Sequence, residues 1–366
     1  MKRFIYRFLF CLQIHHLLRF LLKKKTIILL YHGLTNQDHH DGIENYDAKH
    51  LHVERFKFQM QYLKKYYHVI PLGEWLEYRA TGSKLPSNLA VITFDDGYYS
   101  NYEFAFPILN SLGLPATIFL TTDFIEHKHP LWVDAVEYAV SHARCNVSES
   151  KILYAAKFKS MVKRLPPDSQ PAAVRELEDK MGVRLSEAEQ PPKIYQPLQW
   201  KEIGEMLKSR IITFGSHTHT HAILSRYSDA NLLEELSLSK KMIEDRTGDS
   251  CKLFCYPNGE EGDFNQQTKK ALQDTGYLCG LTSVEGFNDA LSDAFELRRM
   301  GVSNHADEMD FVMTLVGVKT WLSNVKKGFL KLIRKKAETP LHGTRQHPPS
   351  SQPYKLVQRY GSFFSR

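Results

Sequence analysis

Two adjacent carboxylates stand in the segment TFDDGYYSN, residues 93–101, between an apolar run and a glycine. They are Asp95 and Asp96. Neighbouring carboxylates raise each other's pKa unless a cation or hydrogen-bond donors hold them apart. The pair therefore raises the question of a bound metal ion.

A second segment, GSHTHTH, carries three histidines at alternate positions, His217, His219 and His221. In an extended strand all three would face one side, whereas on a helical turn His217 and His221 would share a face. Either geometry can supply two imidazoles to one ion. One added carboxylate completes a set that suits zinc and other divalent first-row metals. The alternative is that the histidines lie in an exposed polar turn and that Asp96-Gly97 is a hairpin turn.

The pattern of apolar residues predicts how these segments are positioned. Short apolar runs predict strands at TIILLYHGL (26–34), HVIPL, LAVITFDDG (89–97), PATIFLTT (115–122), IITFGSHTHTH (211–221), KLFCYPNG (252–259), LCGLT and FELRRMGV (295–302). Helical spacing predicts helices at 52–67, 101–113, 199–209, 229–248 and 264–276. Two further helical segments are predicted between residues 125 and 198, at PLWVDAVEYAVSHA and PAAVRELEDKM. Strands that alternate with helices indicate a parallel sheet, and their number favours a closed or nearly closed β/α barrel.

In such barrels the functional groups cluster at the carboxyl ends of the strands. His32, the two aspartates, the three histidines and the YPNG motif all fall at predicted strand ends. This shared position is the main argument, from the residues alone, that they form one site.

The ordered motifs TFDDG, SHTHTH and YPNG resemble those of the polysaccharide deacetylase family, the NodB-type carbohydrate esterases. The resemblance covers roughly residues 26–303. It implies a distorted (β/α)7 barrel that holds one divalent metal ion and removes N-acetyl groups from amino sugars. By their position in the motifs, Asp95 would be the catalytic base, while Asp96, His217 and His221 would bind the metal. Zn²⁺ is the first candidate, followed by Co²⁺, Ni²⁺, Fe²⁺ and Mn²⁺. His219 would lie outside the ligand set or replace His221.

The third motif departs from the family pattern, which has an arginine two residues before the proline. Cys255 stands at that position. We expect Arg298 or Arg299 to brace the catalytic aspartate from a neighbouring strand, with an ordinary surface ion pair as the alternative. Pro257 and Asn258 follow the motif, and the backbone N–H of Asn258 matches the position that binds the oxyanion in the family.

The late histidine that protonates the leaving amine in the family is not visible in ELRRMGVSNH. In the branch that deacetylates biofilm poly-N-acetylglucosamine, a Tyr-His pair on the first strand provides the general acid, and His32 in LLYHGL matches it. Histidine suits this task because its pKa lies near neutral pH. The alternative is a structural histidine that is hydrogen-bonded to the backbone.

Composition and patterning divide the chain into segments. With 366 residues, 42% hydrophobic, the chain can bury a sizeable core. Its five scattered cysteines lack CxxC spacing, which indicates neither a disulfide framework nor a thiolate zinc site. We expect a basic amphipathic segment at 1–25, a deacetylase barrel at 26–305 with a helical insertion at about 125–198, a basic amphipathic helical segment at 306–336 and a disordered tail at 337–366.

The net charge of +7 is concentrated near the two ends, which suggests contact with an anionic surface. The first 22 residues contain interrupting charges and no small-residue cleavage site, so we expect neither a cleavable signal peptide nor a spanning helix. We expect peripheral membrane contact, with docking on the protein's own core as the alternative, and a location in the cytoplasm or on the inner face of the cytoplasmic membrane. Nucleic acid is not an expected partner, because the barrel shows no recognition module or basic stripe.

These observations predict a metal-dependent hydrolase that removes N-acetyl, or another short acyl, groups from amino sugars of a bacterial surface glycan or its lipid-linked precursor. Two alternatives stay open. One is a non-catalytic glycan- or membrane-binding protein that kept the fold, and the other is a deformylase or esterase that uses the same site. Neither the acyl group nor the oligomeric state follows from the residue types.

Overall fold

The computed structural model describes residues 2–40, 42–147, 149–302, 307–322 and 325. The predicted tail at 337–366 lies outside these residues, as do positions 306, 323, 324 and 326–336 of the predicted helical segment at 306–336. The chain divides into a unit that ends at Trp321 and a second unit that begins at Leu322, and the fold described below belongs to the first.

The strands within the described residues are β1 (Ile27–Tyr31), β2 (Leu34–Thr35), β3 (Leu51–His52), β4 (His68–Val69), β5 (Leu89–Phe94), β6 (Ala116–Leu120), β7 (Ile212–Ser216), β8 (Leu281–Glu285) and β9 (Leu297–Gly301). The α-helices there are α1 (Lys2–Cys11), α2 (Ile14–Leu21), α3 (Val53–Tyr66), α4 (Leu72–Thr81), α5 (Phe106–Leu112), α6 (Thr122–His127), α7 (Trp132–Ser141), α8 (Lys151–Val162), α9 (Gln170–Met181), α10 (Trp200–Lys208), α11 (Asp229–Thr247), α12 (Gln266–Asp274) and α13 (Glu308–Leu315).

The main sheet is parallel and runs in the order β7-β6-β5-β1-β9-β8, with β4 paired to β5. The predicted α/β fold with a parallel sheet is therefore confirmed. Tyr31 of β1 lies opposite Phe94 of β5, so the residues that follow these strands leave the sheet side by side. All six residues of β5 are buried, as expected for a strand covered on both faces.

Residues 253–256 lie between the two edge strands of the sheet. Single bridges join Ser216 of β7 to Phe254, and Cys255 to Leu281 of β8. The predicted strand at 252–259 is thus a short bridging segment rather than a regular strand. Pro257 has no N–H to extend the ladder, and Asn258 adopts a left-handed backbone with φ of 59°. The curled sheet is completed by these bridges and not by a continuous ladder.

The helices pack on the outside of the sheet through apolar faces. In α3, Phe56, Met60 and Leu63 recur at helical spacing and are fully buried. The helix predicted at 101–113 begins instead as a π-helical turn, Asn101–Ala105, before α5. Three helices, α4, α6 and α8, are additional to those that the sequence predicts.

The insertion forms a helical layer with its own core. Its helices α7, α8 and α9 bury Val136, Val140, Phe158, Val162 and Leu177 against one another. The sequence predicted α7 and α9 but not α8, whose segment KILYAAKFKSMV is interrupted by lysines. This missed helix contributes to the site described below.

The amino-terminal segment is a pair of helices, α1 and α2, which a left-handed residue, Gln13 with φ of 53°, separates. Both helices contact α13. Tyr6 and His15 are buried on the side that packs on the protein. Among the described residues, no helix combines the length and the apolar character that crossing a membrane requires.

Candidate active site

A cavity of about 540 Å³ lies at the carboxyl ends of the strands. It is lined by seven of the predicted site residues: His32, Asp95, Asp96, His217, His221, Asn258 and Arg299. A larger cavity of about 820 Å³ lies at the opposite ends of the strands, around Ile212 and Leu253, and none of the predicted site residues lines it. The residues that the sequence suggests for metal binding and catalysis therefore lie around the smaller cavity.

Asp96, His217 and His221 form a compact group of metal-ligand types. Oδ1 of Asp96 lies 3.5 Å from Nε2 of His217 and 3.3 Å from Nε2 of His221. One ligand atom from each of the three residues lies within 4.8 Å of the others. Oδ1 of Asp96 is buried and makes no hydrogen bond of acceptable geometry within the described residues. A buried oxygen of this kind, beside two imidazole nitrogens, fits a divalent cation.

The main chain orients His217. Its Nδ1 lies 2.8 Å from the carbonyl oxygen of Cys255, which fixes Nδ1 as the donor and leaves the Nε2 lone pair facing Asp96. Burial, the largest influence, lowers the pKa of His217 to about 4. The imidazole is therefore neutral at neutral pH, which is the form that binds a metal.

Left-handed backbone occurs in all three motifs. Asp96, Thr218, His221 and Asn258 have φ of 73°, 67°, 60° and 59°. Such conformations in residues other than glycine cost on the order of 1–3 kcal/mol each and are held by the surrounding structure. The chain after β7 therefore forms neither the extended strand nor the helical turn that the sequence suggests. Hydrogen bonds to other parts of the chain hold it in place, such as the bond of 2.9 Å from the N–H of His217 to the carbonyl oxygen of Leu120.

Asp95 is held by Arg299. The two terminal guanidinium nitrogens each donate a hydrogen bond of 2.7 Å, one to each carboxylate oxygen. Both side chains are almost fully buried, and Nε of Arg299 donates to the carbonyl of Thr282 at 2.7 Å. Burial alone would raise the pKa of Asp95, but the charge of Arg299, aided by His217, holds the pKa below its ordinary value.

The neighbouring arginine lies elsewhere. Arg298 is exposed, and its main-chain N–H and C=O are bonded to the side chain of Asn288. Consecutive residues of a strand point to opposite faces, so only one of the two arginines can face the site. Of the two arginines that the sequence offers as a brace for Asp95, Arg299 contacts it, and the expectation is corrected for Arg298, which does not.

Cys255 occupies the position at which the family pattern has its arginine. Its Sγ lies 3.5 and 3.6 Å from the two carboxylate oxygens of Asp95. Burial raises the pKa of this thiol well above its usual value, so it stays protonated beside the carboxylate. The thiol is an added weak donor to a carboxylate that Arg299 already holds.

His32 lies directly after β1 and opposite the start of the aspartate motif. Its main-chain carbonyl accepts a hydrogen bond of 2.7 Å from Asn101, while its ring lines the cavity. In the part of the chain that the structure describes, the ring makes no hydrogen bond to the backbone. Burial lowers the pKa of His32, and the nearby charges of Asp96 and Asp95 oppose that shift.

The turn at Pro257 and Asn258 contacts the insertion. The side-chain oxygen of Asn258 accepts a hydrogen bond from Lys163, at the carboxyl end of α8, and its side-chain nitrogen donates to Asp263. Pro257 is buried behind the turn. The conformation of the proposed oxyanion donor is thus linked to a residue outside the barrel.

The insertion supplies a wall of the cavity that sequence reasoning missed. Its lining residues are Trp132, Val133, Ala156, Lys159, Ser160 and Lys163. Lys159 lies 2.9 Å from Asp47 and 3.4 Å from Glu137, and Lys49 bonds to Tyr98 and Asp134. Lys159 and Lys163 are four residues apart in the sequence. This spacing could have indicated that two cationic side chains share one face of a helix.

His219 points away from the ligand group. Its Nδ1 lies 2.8 Å from Oγ1 of Thr122, and its Nε2 lies 4.0 Å from Asp123. It therefore does not displace His221 beside Asp96.

Comparisons with known proteins identify similar sequences and a similar fold. The family model described as polysaccharide deacetylase matches residues 82–280. The protein YxkH of Bacillus subtilis (strain 168), which is named as a polysaccharide deacetylase, is 22% identical over 280 residues, 76% of this chain and 72% of its own length. A poly-β-1,6-N-acetyl-D-glucosamine N-deacetylase of Staphylococcus epidermidis is 32% identical over 114 residues, 28% of this chain and 38% of its own length.

The fold is also similar to that of solved structures. The Streptococcus pyogenes deacetylase PplD, solved in complex with acetate, gives a TM-score of 0.55 at 18% identity, over 80% of this chain and 99% of that one. At this identity the similarity concerns the fold. With a family model that matches more than half of the chain, and with the family's motifs gathered in one cavity, the protein belongs to the polysaccharide deacetylase family.

Proposed function

We propose that this protein is a metal-dependent deacetylase that hydrolyses the N-acetyl, or another short N-acyl, group of an amino sugar. One observation carries the proposal. The buried, unbonded Oδ1 of Asp96 faces two imidazole nitrogens, next to a second carboxylate, Asp95, that Arg299 keeps ionised. This arrangement separates the two aspartates into a ligand and a base.

Asp96, His217 and His221 would hold the cation. Two imidazoles and one carboxylate suit Zn²⁺ first, and Co²⁺, Ni²⁺, Fe²⁺ or Mn²⁺ as alternatives. When bound, the ion would polarise the acyl carbonyl and make a water molecule more acidic.

The remaining steps belong to residues of the chain. Asp95 accepts a proton from the water that attacks the acyl carbon, since each of its oxygens keeps a lone pair beyond the bond to Arg299. The backbone N–H of Asn258 donates to the acyl oxygen as that atom becomes negative. His32 donates a proton to the amine nitrogen as the C–N bond breaks. The products are the carboxylic acid, such as acetate, and a free amine on the sugar.

The substrate proposal draws on the relatives. The Staphylococcus epidermidis relative is named for deacetylating poly-β-1,6-N-acetyl-D-glucosamine, so we propose an amino-sugar glycan, or its lipid-linked precursor, as the substrate class. The cavity is open enough for a sugar residue and has aromatic side chains, Trp132 and Tyr46, in its wall.

The amino-terminal helices support a further part of the proposal, contact with an anionic membrane surface. Six apolar side chains of α1, α2 and the turn between the two helices are 56 to 76% exposed: Phe4, Phe8, Leu12, Leu17, Phe20 and Leu21. Arg7 and Lys24 are exposed beside them. An apolar face with cations at its border is typical of helices that lie in a lipid interface. We therefore propose peripheral membrane contact, and as its location the inner face of the cytoplasmic membrane.

The missing arginine of the third motif is one reason to consider the non-catalytic alternative. Arg299 supplies a bidentate partner for Asp95 from β9, which removes that motive. The deformylase and esterase alternatives concern the acyl group, and the same assay with N-formyl and O-acetyl sugars separates them.

The test combines metal content with turnover. Metal would be measured by elemental analysis in the wild type and in the double variant Asp96→Ala/His217→Ala, with acetate release from β-1,4- and β-1,6-linked N-acetylglucosamine oligomers and lipid-linked sugars. We expect one tightly bound ion and acetate release in the wild type, and neither in the folded double variant. A folded wild type that releases no carboxylic acid from N-acetyl or N-formyl sugars with any of the five metals would overturn the proposal.

A further inference from the structure

Outside the active site, a second group of metal-ligand types lies on α6 and the residues that follow it. We propose that Asp123, His127 and His129 form a second site for a divalent transition metal. One ligand atom from each of them lies within 4.8 Å of the others. The group shares no residue with the Asp96, His217 and His221 site, and the inference does not depend on the proposed activity.

Local structure brings these three side chains together. Asp123 and His127 are four residues apart on α6 and so share one helix face. Lys128 then takes a left-handed conformation, φ 59°, which ends the helix and turns the chain so that His129 returns to the same aspartate. Nδ1 of His127 lies 2.8 Å from Oδ1 of Asp123, and Nδ1 of His129 lies 2.9 Å from Oδ2.

A third histidine, from a distant part of the chain, borders this group of three residues. Nε2 of His219 lies 4.0 Å from Oδ1 of Asp123, and its Nδ1 is bonded to Thr122, so that Nε2 faces the cluster. His219 is the histidine of the SHTHTH segment that the active site does not use. Two imidazoles and one carboxylate, the set of Asp123, His127 and His129, suit Zn²⁺, Co²⁺, Ni²⁺ or Cu²⁺, whereas Ca²⁺ and Mg²⁺ prefer oxygen ligands.

The second site differs from the first in exposure. The side chains of His127 and His129 are 51 and 68% exposed, whereas those of Asp96 and His217 are 3 and 2% exposed. A metal must therefore order two exposed rings and replace their hydrogen bonds to Asp123. We expect the second ion to bind more weakly and to be removed first by a chelator.

The two groups are mechanically connected. The N–H of Asp123 donates to the carbonyl of His219 at 2.9 Å, and the N–H of Thr122 donates to the carbonyl of Thr218 at 3.2 Å. The start of α6 is therefore bonded to the segment between His217 and His221. An ion at the second site would tie the end of α6 to the same segment.

The experiment measures binding stoichiometry on the metal-stripped full chain by equilibrium dialysis against Co²⁺ and Zn²⁺, with the Co²⁺ absorption spectrum as a second readout. The variants are His127→Ala/His129→Ala, the active-site variant Asp96→Ala/His217→Ala, and a control that removes two exposed histidines elsewhere, His39→Ala/His68→Ala. Circular dichroism checks that each variant is folded.

We expect two ions per chain in the wild type and the control, and one in each of the other two variants. Because His127 and His129 are exposed, their replacement leaves the fold intact. Unchanged stoichiometry in His127→Ala/His129→Ala would overturn the inference, as would a single ion in the wild type that disappears in the active-site variant. If the Asp96, His217 and His221 site binds no metal and the second site does, both the wild type and the Asp96→Ala/His217→Ala variant would bind one ion per chain.

Discussion

Arg299 on the last strand of the sheet holds both carboxylate oxygens of Asp95, which follows β5, through two hydrogen bonds of 2.7 Å. The guanidinium fork matches the geometry of a carboxylate and fixes its orientation. The bracing cation thus comes from β9 and not from position 255, where the thiol of Cys255 lies against the same oxygens.

Replacement of Arg299 should change the pH dependence of turnover. Burial alone raises the pKa of Asp95 and Arg299 lowers it, so in Arg299→Met the pKa of the base rises. A base is inactive when protonated, so the acid limb of kcat/KM against pH should move to higher pH, with a loss of about 10- to 100-fold near neutrality. Arg298→Met is the matched control and should keep the wild-type profile. An unshifted acid limb in an active Arg299→Met enzyme would contradict the assignment.

The same substitution should reduce stability in a pH-dependent way. Loss of one partner of a buried ion pair costs about 3–5 kcal/mol of unfolding free energy at neutral pH. The folded pKa of Asp95 is depressed, so the pair stabilises the fold above the unfolded pKa, about 3.9, and this contribution is lost as pH falls. In Arg299→Met, burial raises the folded pKa of Asp95 above its unfolded value, so the variant regains stability as pH falls and this carboxyl is protonated. Urea titrations of the metal-free proteins should therefore show a difference between wild type and Arg299→Met that shrinks from pH 7 toward pH 4. A difference that stays constant over this range would argue against the pair as its source.

His32 should matter most when the leaving group needs a proton. His32→Gln should lower kcat on an N-acetyl sugar by about 10²- to 10⁴-fold, the usual contribution of a general acid, without changing the bound metal. An aryl acetate has a leaving group that departs without protonation, so its hydrolysis should fall far less. Equal losses on both substrates would indicate a role for His32 other than proton donation.

Lys163 should act as a positioning residue for the Asn258 turn. Its side chain is bonded to the side-chain oxygen of Asn258, so Lys163→Met should lower kcat about tenfold, less than the 10²- to 10³-fold typical of a lost oxyanion donor, with little change in KM. Lys163→Arg should restore part of the loss. Lys157→Met, an exposed change on the same helix, is the control. A rise in KM with kcat preserved would mean that Lys163 contacts the substrate instead.

The amino-terminal helices should bind anionic lipid. Phe8→Ser/Leu17→Ser/Phe20→Ser should reduce binding to vesicles of phosphatidylglycerol and phosphatidylcholine more than tenfold, since each buried large apolar side chain contributes about 1.5–3 kcal/mol. Ile152→Ser/Leu153→Ser changes two apolar residues of α8 that are 49% exposed and should have no effect. Co-sedimentation measures both. Wild-type protein that stays in the supernatant with these vesicles would rule out the membrane contact.

The sequence is informative about residues whose position in the fold follows from the local pattern of apolar and polar residues. The Asp95 and Asp96 motif and the histidine motif each follow a short apolar run, and parallel strands bring the ends of such runs to one edge of the sheet. The choice between Arg298 and Arg299 could not be made, because it depends on which face of β9 turns inward and both residues are equally polar. The role of Lys163 was also hidden, since it depends on how α8 packs over the cavity.

The ion pair also has a consequence for synthesis on the ribosome. Asp95 is made 204 residues before its guanidinium partner, and β9 pairs with β1, which pairs with β5. A nascent chain that buries β5 early carries an uncompensated carboxylate in its core, which is strongly unfavourable. Pairing of β9 with β1 therefore brings in the cation that compensates this carboxylate, so the buried ion pair can form only after the last strand has emerged.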